Sequence, residues 1–186
     1  MSVTDHLQDI LAELARNSTH VEEDALALAV REILAARHIF LAGAGRSGIA
    51  IAAFANRLLH LGKSVSLTGE ITSPHTRPGD LLIIGSGSGE TESLVALARK
   101  AHAAGVHIVL ITMDAGSSIA KLAEVTVVLP GASPKLRSVS AVTSIQPMGS
   151  AFEQMCLLTC DAMILSLMQQ MGESSESMFP RHADLE

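Results

Sequence analysis

Residues 81–94 read LLIIGSGSGETESL: four apolar residues run without a break into a turn of glycines and hydroxyls, and then into a helical pattern. An apolar run as short and continuous as Leu81 to Ile84 predicts a strand buried on both faces, as in parallel sheets covered by helices. The turn behind it then lies at the carboxyl edge of that sheet. Gly85, Gly87 and Gly89 admit backbone angles that a Cβ disfavours, while Ser86, Ser88 and Thr91 set hydroxyls beside the free amides of the next helix. Such a turn suits an anion, phosphate above all. Glycines and one serine N-cap also make an ordinary strand-to-helix turn. Three hydroxyls with no charge before Glu90 exceed that need, and the excess points to a ligand.

The rest of the chain extends this alternation. Leu7, Ile10, Leu11 and Leu14 recur at helical spacing behind Thr4, a candidate N-cap, and a second helix is predicted over 22–36. Strands are expected at 38–42, 64–68, 81–84, 107–112 and 125–129. Helices are expected between them at 47–61 and 90–104, stopped by Gly62 and Gly105, with a brief one near 118–123. Strands alternating with helices give a doubly wound parallel sheet of the α/β class. A polar stretch over 130–146 leads to a long helix from about Pro147 to Met171. Phe152, Met155, Leu158, Met163, Ile164, Leu165, Leu167 and Met168 surround its axis, so it must bury more than one side, which predicts a subunit interface. The 186 residues form one domain, with N-terminal helices over 4–36, an α/β core over 38–130, and the long helix and tail over 147–186.

Composition narrows the function. A net charge of -6 and the absence of Trp and Tyr argue against a nucleic-acid surface. Arg57, His60, Lys100, Glu124 and Asp161 interrupt the apolar stretches, so no membrane span is expected. The acidic, amphipathic start lacks the features of a signal peptide, and a cytoplasmic location is expected. Cys156 and Cys160, four apart in an apolar helical stretch, read as buried thiols rather than metal ligands.

A second loop carries chemistry. GAGRSG satisfies G-x-G-x-x-G at Gly43, Gly45 and Gly48, with Glu70 after the following strand, which admits a dinucleotide-binding reading. That reading ranks second, because the chain has no room for a separate substrate domain and the Ser86–Thr91 loop would have no role. Arg46 and Ser47 of one loop, with Ser86, Ser88 and Thr91 of the other, can together grip a single phosphorylated sugar. Glu153, one turn into the long helix beside Phe152, is either a general base in an apolar setting or a first-turn carboxylate complementing the helix dipole. His60, at a helix C-terminus, and His182, in the tail, also have structural readings, and residue chemistry leaves all three undecided.

Taken together, GAGRSG, RLLHLG, GSGSGET, IQPMGSAFEQ and the closing RHADLE closely resemble the 6-phospho-3-hexuloisomerases of the sugar isomerase (SIS) domain superfamily, from about Ile39 to the end. SGSGET marks the superfamily, which includes sensors that bind sugar phosphates without chemistry; IQPMGSAFEQ and RHADLE are more specific. Asp184 stands where many relatives carry Asn. The resemblance implies a three-layer fold with a five-stranded parallel sheet, no cofactor and no metal. It also implies a homotetramer built as a dimer of dimers, working beside a 3-hexulose-6-phosphate synthase. The implied reaction is the reversible conversion of D-arabino-hex-3-ulose 6-phosphate to D-fructose 6-phosphate through a cis-enediol, in formaldehyde fixation. The family's phosphate-binding pattern falls on Ser47, Ser86, Ser88 and Thr91, in a loop that also holds Gly87 and Gly89. Its base falls on Glu153 and its acid on His60; Arg46 steadies charge, and His182 reaches a neighbouring subunit's site. The non-catalytic alternative is a sugar-phosphate sensor, which has no use for Glu153.

Overall fold

The computed structural model describes residues 1–132 and 143–185, so most of the polar stretch over 130–146 lies outside the described residues. Two helices, α1 (Val3–Ser18) and α2 (Glu23–Ala35), precede β1 (Ile39–Gly43), α3 (Gly45–His60) and β2 (Val65–Leu67). Then come β3 (Leu81–Gly85), α4 (Glu92–Ala103), β4 (His107–Thr112) and β5 (Val125–Val128). The chain ends with α5 (Ser150–Met171) and the short α6 (Ser175–Met178). The brief helix expected near 118–123 is a single 3-10 turn, Ala120–Leu122.

All pairings in the sheet are parallel, in the order β2-β1-β3-β4-β5. Every residue of β3 is buried, as its unbroken apolar run requires. Ile39, Leu41, Leu81 and Ile83 pack toward α2, α3 and α5 on one face, with α1 laid outside α5. Phe40, Ala42, Leu82 and Ile84 pack toward α4 and the 3-10 turn on the other, completing the three expected layers. Cys156 and Cys160 are both buried in the first of these cores. Their mutual hydrogen bond, with burial, pushes the Cys160 thiol well up, so it stays protonated.

Two helix starts differ from expectation. Ser2, not Thr4, caps α1, because Asp5 makes the cap reciprocal: its amide donates to Ser2 Oγ at 3.1 Å and its carboxylate accepts from the Ser2 amide at 2.7 Å. The long helix begins at Ser150 rather than Pro147, because Met148 has φ 59° and a left-handed residue cannot continue a right-handed helix. Among the described residues α5 is the helix with the length and mean hydropathy, 1.4, of a membrane span. Half of that stretch is buried against the sheet and its neighbours, as a core helix must be. Of its apolar residues, Met155, Met163 and Ile164 are buried, while Leu158 (50% exposed) and Leu165 (67%) face outward.

Candidate active site

β1 is followed by β2 on one side and β3 lies on the other, so the strand order reverses between β1 and β3. The loops leaving their carboxyl ends diverge there and open a crevice, the usual ligand position in such sheets. Gly43 and Gly85, the last residues of these strands, are register partners, so the two loops leave the sheet side by side. Close packing is built in: a Cβ on Gly43 would lie 2.7 Å from the Cα of Gly48, so only glycine lets α3 turn back this tightly onto β1.

The crevice holds a cavity of about 440 Å³ lined by both loops and the first turn of α5. Arg46, Ser47, Ser86, Gly87, Ser88, Thr91 and Glu153 all line it, so one site unites these seven residues. Gly89 stands behind the surface at φ +61°, where an added Cβ would lie 2.1 Å from Ser117 Oγ. Its role is to shape the loop.

The hydroxyls are arranged for an anion. Ser86 Oγ accepts from the Gly89 amide and Ser88 Oγ from the Glu90 amide, each at 3.2 Å. These bonds brace the turn, as an ordinary turn would, and they also commit a lone pair of each oxygen, leaving its O–H to donate. Thr91, the N-cap of α4, makes no side-chain capping bond, and Ala44, the N-cap of α3, has no side chain able to make one. Two helix N-termini with amides uncapped by side chains therefore converge on the cavity.

Glu153 faces these donors. Its amide donates to the Gly149 carbonyl at 3.0 Å, and its Oε2 accepts from Arg46 Nε at 2.5 Å. The carboxylate is largely shielded, at 19% exposure, and the guanidinium is 63% exposed. Sequence reading placed both residues in the site but missed their pairing, which spans 107 positions and leaves no local signal. It also missed Met148, Gly149 and Phe152 as lining residues. The Pro-Met-Gly turn was the available cue.

His60 and His182 lie elsewhere. They stack with ring centroids 5.1 Å apart over a second cavity of about 490 Å³, lined also by Arg57, Asp161, Leu165 and Phe179. Arg57 Nη1 approaches His60 Nδ1 at 3.2 Å, and Arg181 donates to the His60 carbonyl and pairs with Glu173 at 2.6 Å. His182 is thus held against His60 by stacking although it stays exposed. Ser47 lies in the first turn of α3 and His60 ends it, thirteen residues away or roughly 20 Å at helical rise, so one chain does not bring His60 to Glu153. Glu70, the acidic residue of the dinucleotide reading, is exposed after β2 and does not line the cavity.

The SIS domain family matches residues 32–158. A Bacillus subtilis protein named 3-hexulose-6-phosphate isomerase is 44% identical over 186 residues, the whole of both chains. Its namesake from Mycobacterium gastri is 36% identical over 99% of this chain and 92% of its own. A Methanococcus jannaschii crystal structure, from which the function of 3-hexulose-6-phosphate isomerase was inferred, superposes with a TM-score of 0.82 at 29% identity, covering 98% of this chain and 99% of that one. The Vibrio vulnificus NanR protein, solved with ManNAc-6P, shares the fold at a TM-score of 0.80 and 22% identity, over 96% of this chain and 67% of its own. With the family matched from the end of α2 well into α5 and relatives aligned over the full length, the chain belongs to the SIS domain family.

Proposed function

We propose that this chain is an isomerase that interconverts D-arabino-hex-3-ulose 6-phosphate and D-fructose 6-phosphate. The observation that carries this reading is a shielded carboxylate, Glu153, set across one cavity from a double phosphate cradle. The relatives' shared name supplies the substrate. The phosphate is bound by Ser47, Ser86, Ser88 and Thr91, with the amides around Gly87, and Gly89 holds the loop in shape. Glu153 takes the proton from C2, the C2–H electrons form the C2–C3 double bond, and the C3 carbonyl electrons pass to its oxygen, which takes a proton to give a cis-enediol. The C2 hydroxyl then gives up its proton, the carbonyl forms at C2, the double-bond electrons take the proton back from Glu153 at C3, and the enzyme is restored. Arg46 steadies the enediolate, its Nη groups remaining for substrate while Nε holds the carboxylate. No cofactor or metal is required for these steps. The reaction fits formaldehyde fixation in the cytoplasm, beside a 3-hexulose-6-phosphate synthase that supplies the substrate.

The fold is shared with a protein solved with a sugar phosphate, so a non-catalytic sensor is the second reading, and Glu153 separates the two. The deciding assay adds the 3-hexulose phosphate to purified protein and follows fructose 6-phosphate enzymatically. Binding without turnover would support the sensor. Within the isomerase reading, Ser86→Ala with Ser88→Ala is expected to raise KM at least about tenfold, since hydrogen bonds to a charged oxygen are worth roughly 1.5–3 kcal/mol each. The Ki of inorganic phosphate should rise in parallel. An unchanged Ki would leave the serines as turn formers only.

We also read the site as shared between subunits: His60, acting as the acid that moves the hydroxyl proton, and the His182 stacked on it both reach the Glu153 cavity of a neighbouring copy. The outward Leu158 and Leu165 on α5 and Ile49 on α3 supply the apolar surface for such an assembly, a homotetramer of paired dimers. A mixing experiment tests this. Glu153→Gln and His60→Ala variants, each inactive alone, should regain roughly a quarter of wild-type activity after subunit exchange, as random pairing of two-fold dimers dictates. Mixed oligomers that stay inactive would place both groups in separate roles, and a monodisperse monomer in light scattering would defeat the assembly itself.

A further inference from the structure

Helix α1 lies outside the segment matched by the family, yet it carries a buried carboxylate that the proposed mechanism does not use. Glu13 is 4% exposed, and its Oε2 accepts from Gln146 Nε2 at 3.1 Å. Its other oxygen is buried as well, as are the Asn17 amide nitrogen one turn on and the Gln154 amide oxygen, with no hydrogen-bond partners among the described residues. Taking a carboxylate out of water is costly, and an apolar side chain of similar size would serve packing better. The position therefore points to something other than stability.

Gln146 opens the turn Gln146-Pro147-Met148-Gly149 that leads into α5. Met148, at φ 59°, is the one non-glycine residue with positive φ among the described residues. Such a conformation persists only where its surroundings over-determine it, and a side chain anchored one residue before Pro147 supplies that restraint. The turn also sets the base. The Gly149 carbonyl receives the Glu153 amide, and Met148 and Gly149 line the cavity beside the Glu153 carboxylate.

We propose that Glu13 is a positioning residue for the isomerisation: through Gln146 it clamps the 146–149 turn and so fixes the Glu153 carboxylate against Arg46 and the substrate carbons. This rests on the reading of Glu153 as the base. α1 is then part of the active enzyme although it touches neither phosphate nor sugar.

Two substitutions separate positioning from packing. Glu13→Gln keeps the size and an acceptor oxygen for Gln146, whereas Glu13→Leu keeps the size and removes it. Glu13→Gln should retain kcat within about threefold, while Glu13→Leu should lose roughly ten- to a hundredfold, the scale of a displacement of about 1 Å at a reacting group. KM and the Ki of inorganic phosphate should stay within about twofold for both variants, because the phosphate loops are untouched. Gln146→Leu should reproduce the loss, and the double variant should lose no more than either alone. It also carries the test if Glu13→Leu does not fold. A readout free of turnover accompanies the kinetics: in carbon-13 methyl spectra, the Met148 signal should move in Glu13→Leu and Gln146→Leu and hold its place in Glu13→Gln. Unchanged kcat in the leucine variants, or an unmoved Met148 signal, overturns the inference. Wild-type protein that turns over no sugar phosphate would instead sink the isomerase reading, leaving the methyl spectra to judge the clamp alone.

Discussion

Exchanging Glu153 for Gln is expected to lower kcat at least about a hundredfold, the usual scale for losing a general base, while sugar-phosphate binding remains nearly intact. The structure explains the split. The hydroxyls proposed to hold the phosphate lie in the loops after β1 and β3, whereas Glu153 enters the cavity from α5. Gln has the same shape, and its amide oxygen can still accept from Arg46 Nε, so the first turn of α5 is not disturbed. Basicity is the property removed. Substrate carrying deuterium at C2 should show a primary isotope effect in wild type, which ties the lost step to that bond. A Glu153→Gln variant turning over near the wild-type rate would strip Glu153 of its role, and weakened phosphate binding would show that the Arg46 pair organises the cradle.

Gly43→Ala should destabilise the fold by about 2–3 kcal/mol, at the upper end for overpacking, because the new methyl meets only backbone. Its nearest neighbours would be Gly48 Cα at 2.7 Å, Gly48 N at 3.0 Å and the Ser47 carbonyl carbon at 3.3 Å, none of which can rotate away. For a chain of this length that cost lowers Tm by roughly 5–10 °C. Gly48→Ala offers a graded comparison. Its methyl would meet the Gly43 carbonyl carbon and oxygen at 3.0 Å, a milder contact, so a smaller loss is expected. Urea midpoints measure both. If Gly43→Ala matched wild type, or if the order of the two variants reversed, the tight β1–α3 return would not be the constraint the structure indicates.

What the sequence revealed and what it hid divide along chemical lines. Each strand lay within a residue or two of its expected span, because a buried parallel strand advertises itself as a continuous apolar run: Leu81–Gly85 and His107–Thr112 are examples. The two loops were legible as turns at the carboxyl edge of the sheet for the same local reason, since glycine and hydroxyl residues cluster there. The start of α5 was misplaced by three residues, because nothing in the chemistry of methionine announces a left-handed backbone at position 148. The Arg46–Glu153 pair, the Glu13–Gln146 bond and the stacking of His182 on His60 join residues far apart in the chain. Such partners follow from topology, not periodicity. The sequence named His60 and Glu153 as candidates and put His60 at the end of a helix, but nothing in it said that α5 would set Glu153 against the opposite end of that helix.

Phe152 and Cys156 have a consequence for the order of events in synthesis and refolding. An added Cβ on Gly87 would lie 3.2 Å from Phe152, and one on Gly85 3.8 Å from Cys156, so the helix bearing Glu153 is packed directly behind the glycine- and hydroxyl-rich loop after β3. The cradle residues all occur before position 92 and leave the ribosome well ahead of α5. α5 supplies the packing on that sheet face and the backing of the loop, so neither is complete before it docks. Docking of α5 is therefore expected to close the core and to bring the Glu153 carboxylate to the cavity in one movement.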